Sequence, residues 1–125
     1  MSQETVSHPT GQPRAVISDA LVQLVSRHFG KGPTRAKTYI FDDYVLCVLQ
    51  DLLTTSEKTL LERGRGDLVR EYRLAFQEAL AGEFRQVVES ATGRRVLTYH
   101  SQVVFEPDMG FEIFVLEPDG SGSGS

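Results

Sequence analysis

The sequence predicts an α+β fold: a four-stranded, mostly antiparallel sheet with helices packed on one face, in the element order αββααββ. Three observations predict it. Apolar residues recur at three- and four-residue steps over 67–91, as they do on one face of a long amphipathic helix. Two strand-like runs, Arg35–Phe41 and Tyr44–Gln50, are separated only by Asp42-Asp43, a pair suited to a tight turn. Two further runs, at 95–105 and 111–116, flank Pro107-Asp108-Met109-Gly110, which has the turn chemistry of a hairpin.

The first helix begins near Pro13, a residue pre-organised for a first helical turn. Ile17, Leu21, Leu24 and His28 follow at helical spacing, with Val25 and Phe29 widening the stripe, and Gly30 stops the helix as a left-handed cap. The run Tyr44-Val45-Leu46-Cys47-Val48-Leu49 lacks polar alternation and reads as a strand buried on both faces. Thr54 with Glu57 three positions on forms a capping box ahead of Leu60 and Leu61. Gly64 and Gly66 bracket Arg65 and break the period. The stripe of the long helix is Val69, Tyr72, Phe76, Leu80, Phe84, Val87 and Ala91, closed by Thr92-Gly93.

A straight helix of that length extends roughly 37 Å at about 1.5 Å per residue, whereas a typical strand spans about 17 to 20 Å. The helix then overhangs its own sheet, and the overhang predicts a homodimer; a kink at Gly82 is the alternative. Residues 1–12 are too polar to offset their ordering entropy and read as a disordered tail, 13–118 as one domain, and 119–125 as a flexible Gly/Ser tail.

Composition narrows the function classes. A chain of 125 residues with 40% hydrophobic and 24% charged residues can bury a core without disulfide or metal staples. The formal net charge of -4 argues against nucleic acid as a partner. The single cysteine, Cys47, lies in an apolar run and reads as a small buried hydrophobe. No stretch approaches the ~20 apolar residues of a membrane span, and the start lacks the features of a signal peptide, so a cytoplasmic location is expected.

Candidate chemistry is concentrated in cations. The 30–37 loop combines Lys31, Gly32, Thr34, Arg35 and Lys37, with glycines that let backbone amides approach a small anion such as bicarbonate or phosphate. The same residues also read as a helix cap followed by a tight turn with solvated lysines. The loop follows a helix rather than a strand, so it is neither a Walker loop nor a dinucleotide fingerprint. Arg65 and Arg70 form a second basic cluster, with Arg63 and Arg73 beside them, that suits an oxyanion or ordinary surface pairing with Glu57, Glu62, Asp67 and Glu71. His100 and Asp108 are further polar contacts, and Glu112 could assist a polar site near the last hairpin. No catalytic motif and no metal-ligand spacing is present, so neither a cofactor nor a metal is expected.

The segments Gly30-Lys31-Gly32-Pro33-Thr34-Arg35-Ala36-Lys37-Thr38-Tyr39, Leu52-Leu53-Thr54-Thr55-Ser56-Glu57-Lys58-Thr59-Leu60 and Thr92-Gly93-Arg94-Arg95-Val96, with Pro107-Asp108, resemble the MpsC-like family over 15–116. That bacterial family was first described as a domain of unknown function and is named with a sodium-translocating, membrane-potential-generating system. The resemblance implies a small accessory partner of a membrane system linked to cation transport and inorganic-carbon supply, and it supplies no catalytic residues. The expectation is therefore a non-enzymatic accessory or regulatory module that docks on a protein partner and senses a small anion. The alternative is a small-molecule or nucleotide binder whose pocket joins the 30–37 loop to Arg65 and Arg70. A hydrolase or lyase with an unrecognised site is the third possibility.

Overall fold

The computed structural model describes residues 12–119. The tails expected at 1–12 and 119–125 lie outside them, except Gln12 and Asp119; Gln12, expected in the tail, opens the first helix. The elements are α1 (Gln12–Phe29), β1 (Arg35–Phe41), β2 (Tyr44–Gln50), α2 (Thr55–Glu62), α3 (Gly66–Thr92), β3 (Val96–Val104) and β4 (Met109–Leu116). All strand pairings are antiparallel, in the order β1-β2-β4-β3, so β2 and β4 form the centre and β1 and β3 the edges.

Local chemistry sets the boundaries. Gly30 has φ 76° and Gly93, the cap of α3, has φ 71°, a region that costs a side chain-bearing residue steric strain. Asp42 holds the β1–β2 turn at φ 54°, a conformation that Asp tolerates better than most residues. At the start of α2 the Thr54 hydroxyl accepts the Glu57 N–H at 3.2 Å, while the Glu57 carboxylate accepts the Thr54 N–H at 2.9 Å. The capping box read from the sequence is therefore formed. The last hairpin turns earlier than expected, over 105–108, and Met109 and Gly110 belong to β4. Gly110 lies directly beneath Leu52, where a Cβ would run into the leucine side chain.

Both long helices cover one face of the sheet. Ile17, Leu21, Leu24 and Val25 of α1 and Leu80, Phe84 and Val88 of α3 close over Val45, Cys47 and Leu49 of β2 and Phe114 and Leu116 of β4. Two expectations are corrected here. The strand β2 is not buried on both faces: Val45, Cys47 and Leu49 are fully buried, while Tyr44 on the other side is 47% exposed. The buried stripe of α3 contains Arg73 and Val88, while Tyr72 is exposed.

The helix α3 continues through Gly82 without interruption, about 40 Å at ~1.5 Å per residue. Its overhanging first half is covered by its own chain. Val69 is fully buried, Arg73 reaches Glu57 of α2, and the Phe29 ring of α1 meets Tyr72 and Phe76 at 5.9 and 4.7 Å between centroids. The uncovered apolar surface lies instead on the far side of the sheet.

Candidate functional site

The first candidate is a polar system buried between α3 and the sheet. The strand register lines up Thr38, Cys47, Glu112 and Ser101 across β1, β2, β4 and β3, all on the helix-facing side. Ser18 of α1 hydrogen-bonds Thr38 at one end, with 2.7 Å between hydroxyls. At the other end the Glu112 carboxylate accepts the Tyr99 hydroxyl at 2.5 Å and the Ser101 hydroxyl at 3.0 Å. Burial pushes Glu112 up to about 7, against the lowering effects of these two donors and the Arg73 charge. Burial likewise pushes the Cys47 thiol up to about 11, with Glu112 adding to the shift and the Thr38 hydrogen bond opposing it. The thiol is thus kept in its unreactive form, as a buried hydrophobe should be.

Beside this row stands a buried ion pair. Arg73 donates from Nε to Glu57 Oε2 at 2.7 Å and from Nη2 to Glu57 Oε1 at 2.6 Å, and Nη2 also reaches the Leu52 carbonyl at 3.1 Å. Its guanidinium covers the Phe29 ring at 4.1 Å. Burial disfavours the Glu57 charge, yet Arg73 and the donors of Thr54 hold its carboxyl below the usual range. One carboxylate therefore serves both as a helix cap and as the counter-ion of a buried arginine.

A cavity of about 40 Å³, room for about three waters by volume, is lined by Arg73, Gln77, Ser101 and Glu112 among apolar neighbours. An outer cleft of about 250 Å³ between α3 and β3 shares Arg73, Gln77 and Ser101 and adds Arg70 and Phe105. Arg70 lies over the Phe105 ring at 4.6 Å. Glu112 lines the inner cavity and not the outer cleft, where Arg70 suits a small oxyanion or carboxylate.

The cations singled out in the sequence are dispersed. Lys31 is turned back onto Asp51, bonding its carbonyl and lying 3.7 Å from its carboxylate. The Thr34 N–H donates to the Gln50 carbonyl at 3.1 Å, and Gly32 packs on Ser26. Arg35 and Lys37 line a shallow groove with Tyr39, Val48 and Gln50 on the side of the sheet away from the helices. Arg65 pairs with Asp67 on the surface, and Arg70 joins the α3–β3 cleft. The 30–37 loop and Arg70 thus line different surfaces. Asp108 is structural, accepting the N–H groups of Leu52 at 2.8 Å and Leu53 at 3.1 Å. His100 is exposed on β3, opposite Ile113.

The second candidate is the open face itself. Its central strands present Tyr44, Leu46 and Val48 on β2 and Phe111, Ile113 and Val115 on β4. Tyr39 and Phe41 extend it onto β1, whereas β3 contributes Thr98, His100 and Gln102. Tyr39, Phe41, Tyr44 and Ile113 are 41, 54, 47 and 40% exposed, an apolar surface of the kind that soluble chains cover with a partner. The burial of the Arg73–Glu57 pair and the inward role of Glu112 escaped the sequence reading. The available signals were an arginine four positions after Val69 in an apolar stripe, and a glutamate alternating with Gly110 and Phe114.

The family model described as "MpsC: Na+-translocating membrane potential-generating system (MpsC)" matches residues 10–118. Neither the curated proteins nor the solved structures contain a match.

Proposed function

The chain belongs to the MpsC family, and from that premise we propose that it is a non-enzymatic accessory module of a Na+-translocating, membrane-potential-generating system. On this reading it works in the cytoplasm as a homodimer and docks on a protein partner of that system. The observation that carries the homodimer in this reading is the open apolar face of the sheet, which the single layer of helices leaves uncovered among the described residues, and docking on a partner of the membrane system is drawn from the family. No helix among the described residues is long and apolar enough to cross a membrane, so the chain's place in a membrane system is assigned to protein contacts. A small anion such as bicarbonate or phosphate is assigned to Arg35 and Lys37, beside Tyr39 and Gln50 in the same groove; Lys31 contributes only if it leaves Asp51.

The test is Na+-dependent membrane potential in vesicles carrying the membrane proteins of the chain's own system, with and without the purified chain. The expected result is a change in potential that saturates with added protein. An unchanged potential at saturating protein contradicts the accessory role.

The α3–β3 cleft supports a second reading as a small-molecule or nucleotide binder, because Arg70, Arg73, Gln77 and Ser101 converge on it. A thermal-shift screen with phosphate, bicarbonate and nucleotides discriminates. Stabilisation abolished by Arg70→Ala assigns the ligand to the cleft, and stabilisation abolished by Lys37→Ala assigns it to the groove on β1.

A further inference from the structure

We propose that the open sheet face is covered by the same face of a second copy, related by a two-fold axis that runs parallel to the strands between the two sheets. The inference rests on the homodimer reading and deepens it by fixing which surfaces meet and in which register.

Polarity is distributed unevenly across the face. Among the described residues its charged ones, Arg35 and Lys37, are both on edge strand β1, while the opposite edge, β3, presents uncharged Thr98 and Gln102 with His100. A two-fold axis along the strands lays β1 of one copy over β3 of the other and β2 over β4. Residues on one register line then face each other. Leu46 shares a line with Ile113, and Val48 with Phe111, so the centre of the contact is apolar on both sides. Lys37 lies on the line of Gln102, and Tyr39 on the line of His100. Lys37 thereby meets an uncharged polar residue, and Arg35, on the line of Gln50, Met109 and Val104, lies at the end of the edge.

The other face-to-face two-fold runs across the strands and stacks β1 on β1. It would gather four cations along one edge with no carboxylate on the face to offset them. A hetero-partner would need its own matching apolar centre, whereas the axis along the strands supplies one from this chain alone, as an isologous contact requires.

Size is compatible. Four strands at about 4.8 Å and seven residues at about 3.3 Å give a face of roughly 19 by 23 Å, or about 870 Å² over both copies before side-chain relief is added. Stable interfaces begin near 1,200 Å² in total, and the exposed rings of Phe41 and Tyr44 at one end of the face add to the projected area. Twisted sheets stack about 30° apart, so the facing pairs are closest at the centre, around Leu46 and Ile113.

The experiment uses the full chain. Ile113→Lys should weaken the dimer by about a hundredfold or more, because each dimer would then bury two unpaired ammonium groups. Ile113 is 40% exposed in the protomer, so the fold should be retained and far-UV circular dichroism checks it. The second arm is Lys37→Cys combined with Gln102→Cys, treated with a short bismaleimide. Within one chain these positions lie three strand spacings apart, about 14 Å across the sheet, and native Cys47 is fully buried. The axis along the strands predicts a covalent dimer from the double variant and none from either single variant. A dimer that survives Ile113→Lys with its fold intact, or that Lys37→Cys alone cross-links, overturns the stacking but leaves the homodimer reading in place. If Ile113→Lys does not fold, the cross-linking pattern decides by itself. A monomeric native chain overturns both.

Discussion

The two faces of the sheet invert the usual relation between polarity and exposure. The covered face hides a carboxylate, a thiol and hydroxyls in one cross-strand line, with a guanidinium beside them, while the open face shows Tyr39, Phe41, Tyr44 and Ile113 to solvent. What separates them is partnering. Glu57 and Arg73 satisfy each other, Tyr99 and Ser101 satisfy Glu112, and Ser18 meets Thr38, so the polar groups can be buried at tolerable cost. The apolar residues of the open face have no such cover among the described residues. The comparison teaches that the sheet is finished on one side and, among the described residues, left open on the other.

Removing one partner of the buried pair is the strongest way to break the covered face. Arg73→Ala should lower stability by about 3–5 kcal/mol, because it strands the Glu57 carboxylate; urea denaturation measures it. Replacing both residues by Met should recover much of that loss, which separates the cost of an unpaired charge from the worth of the pair.

The covered face should also respond to pH in a particular window. The Glu112 carboxyl is raised from 4.5 to about 7 in the folded protein. A raised carboxyl contributes stability that is fully present below the unfolded value and lost as pH rises through the folded one. Stability should therefore fall by about 3 kcal/mol between about pH 4.5 and 7. Glu57 has the opposite sign: its lowered carboxyl contributes above its ordinary value and loses that contribution as acid titrates it below pH 4.5. Maximum stability is expected near pH 5, and Glu112→Gln should flatten the decline above it while sparing the acid limb. Thermal melts across pH measure both limbs.

Smaller effects lie away from both faces. Thr54→Ala removes the hydroxyl of the capping box and should cost about 1 kcal/mol, read from the denaturation midpoint. Arg65→Ala, which removes a surface pairing with Asp67, should leave the midpoint unchanged.

The sequence made the element order, the capping box and the glycine stop after α1 legible because each is a local signal. Long-range facts were less accessible. The run from Tyr44 to Leu49 is apolar at every position, so its alternation of buried and exposed faces is invisible in composition and appears only once helices cover one side. Arg73 was grouped with surface cations by its charge, since its partner lies on another helix, sixteen positions away. The pairing of Lys31 with Asp51 is likewise invisible in the sequence, because it forms only where the fold returns residue 51 to the loop. The segment from Thr92 to Val96 has a role in the fold: Arg94 ties the β1–β2 turn to the residue after β4 through Asp43 at 2.5 Å and the Glu117 carbonyl at 2.8 Å.

Sedimentation equilibrium of the native full chain tests the central claim most directly. With a chain mass of 13.9 kDa, a covered open face predicts a particle of twice that mass at micromolar concentration. A species of 13.9 kDa that persists at about 100 µM, a concentration at which even a modest interface should be populated, would contradict it.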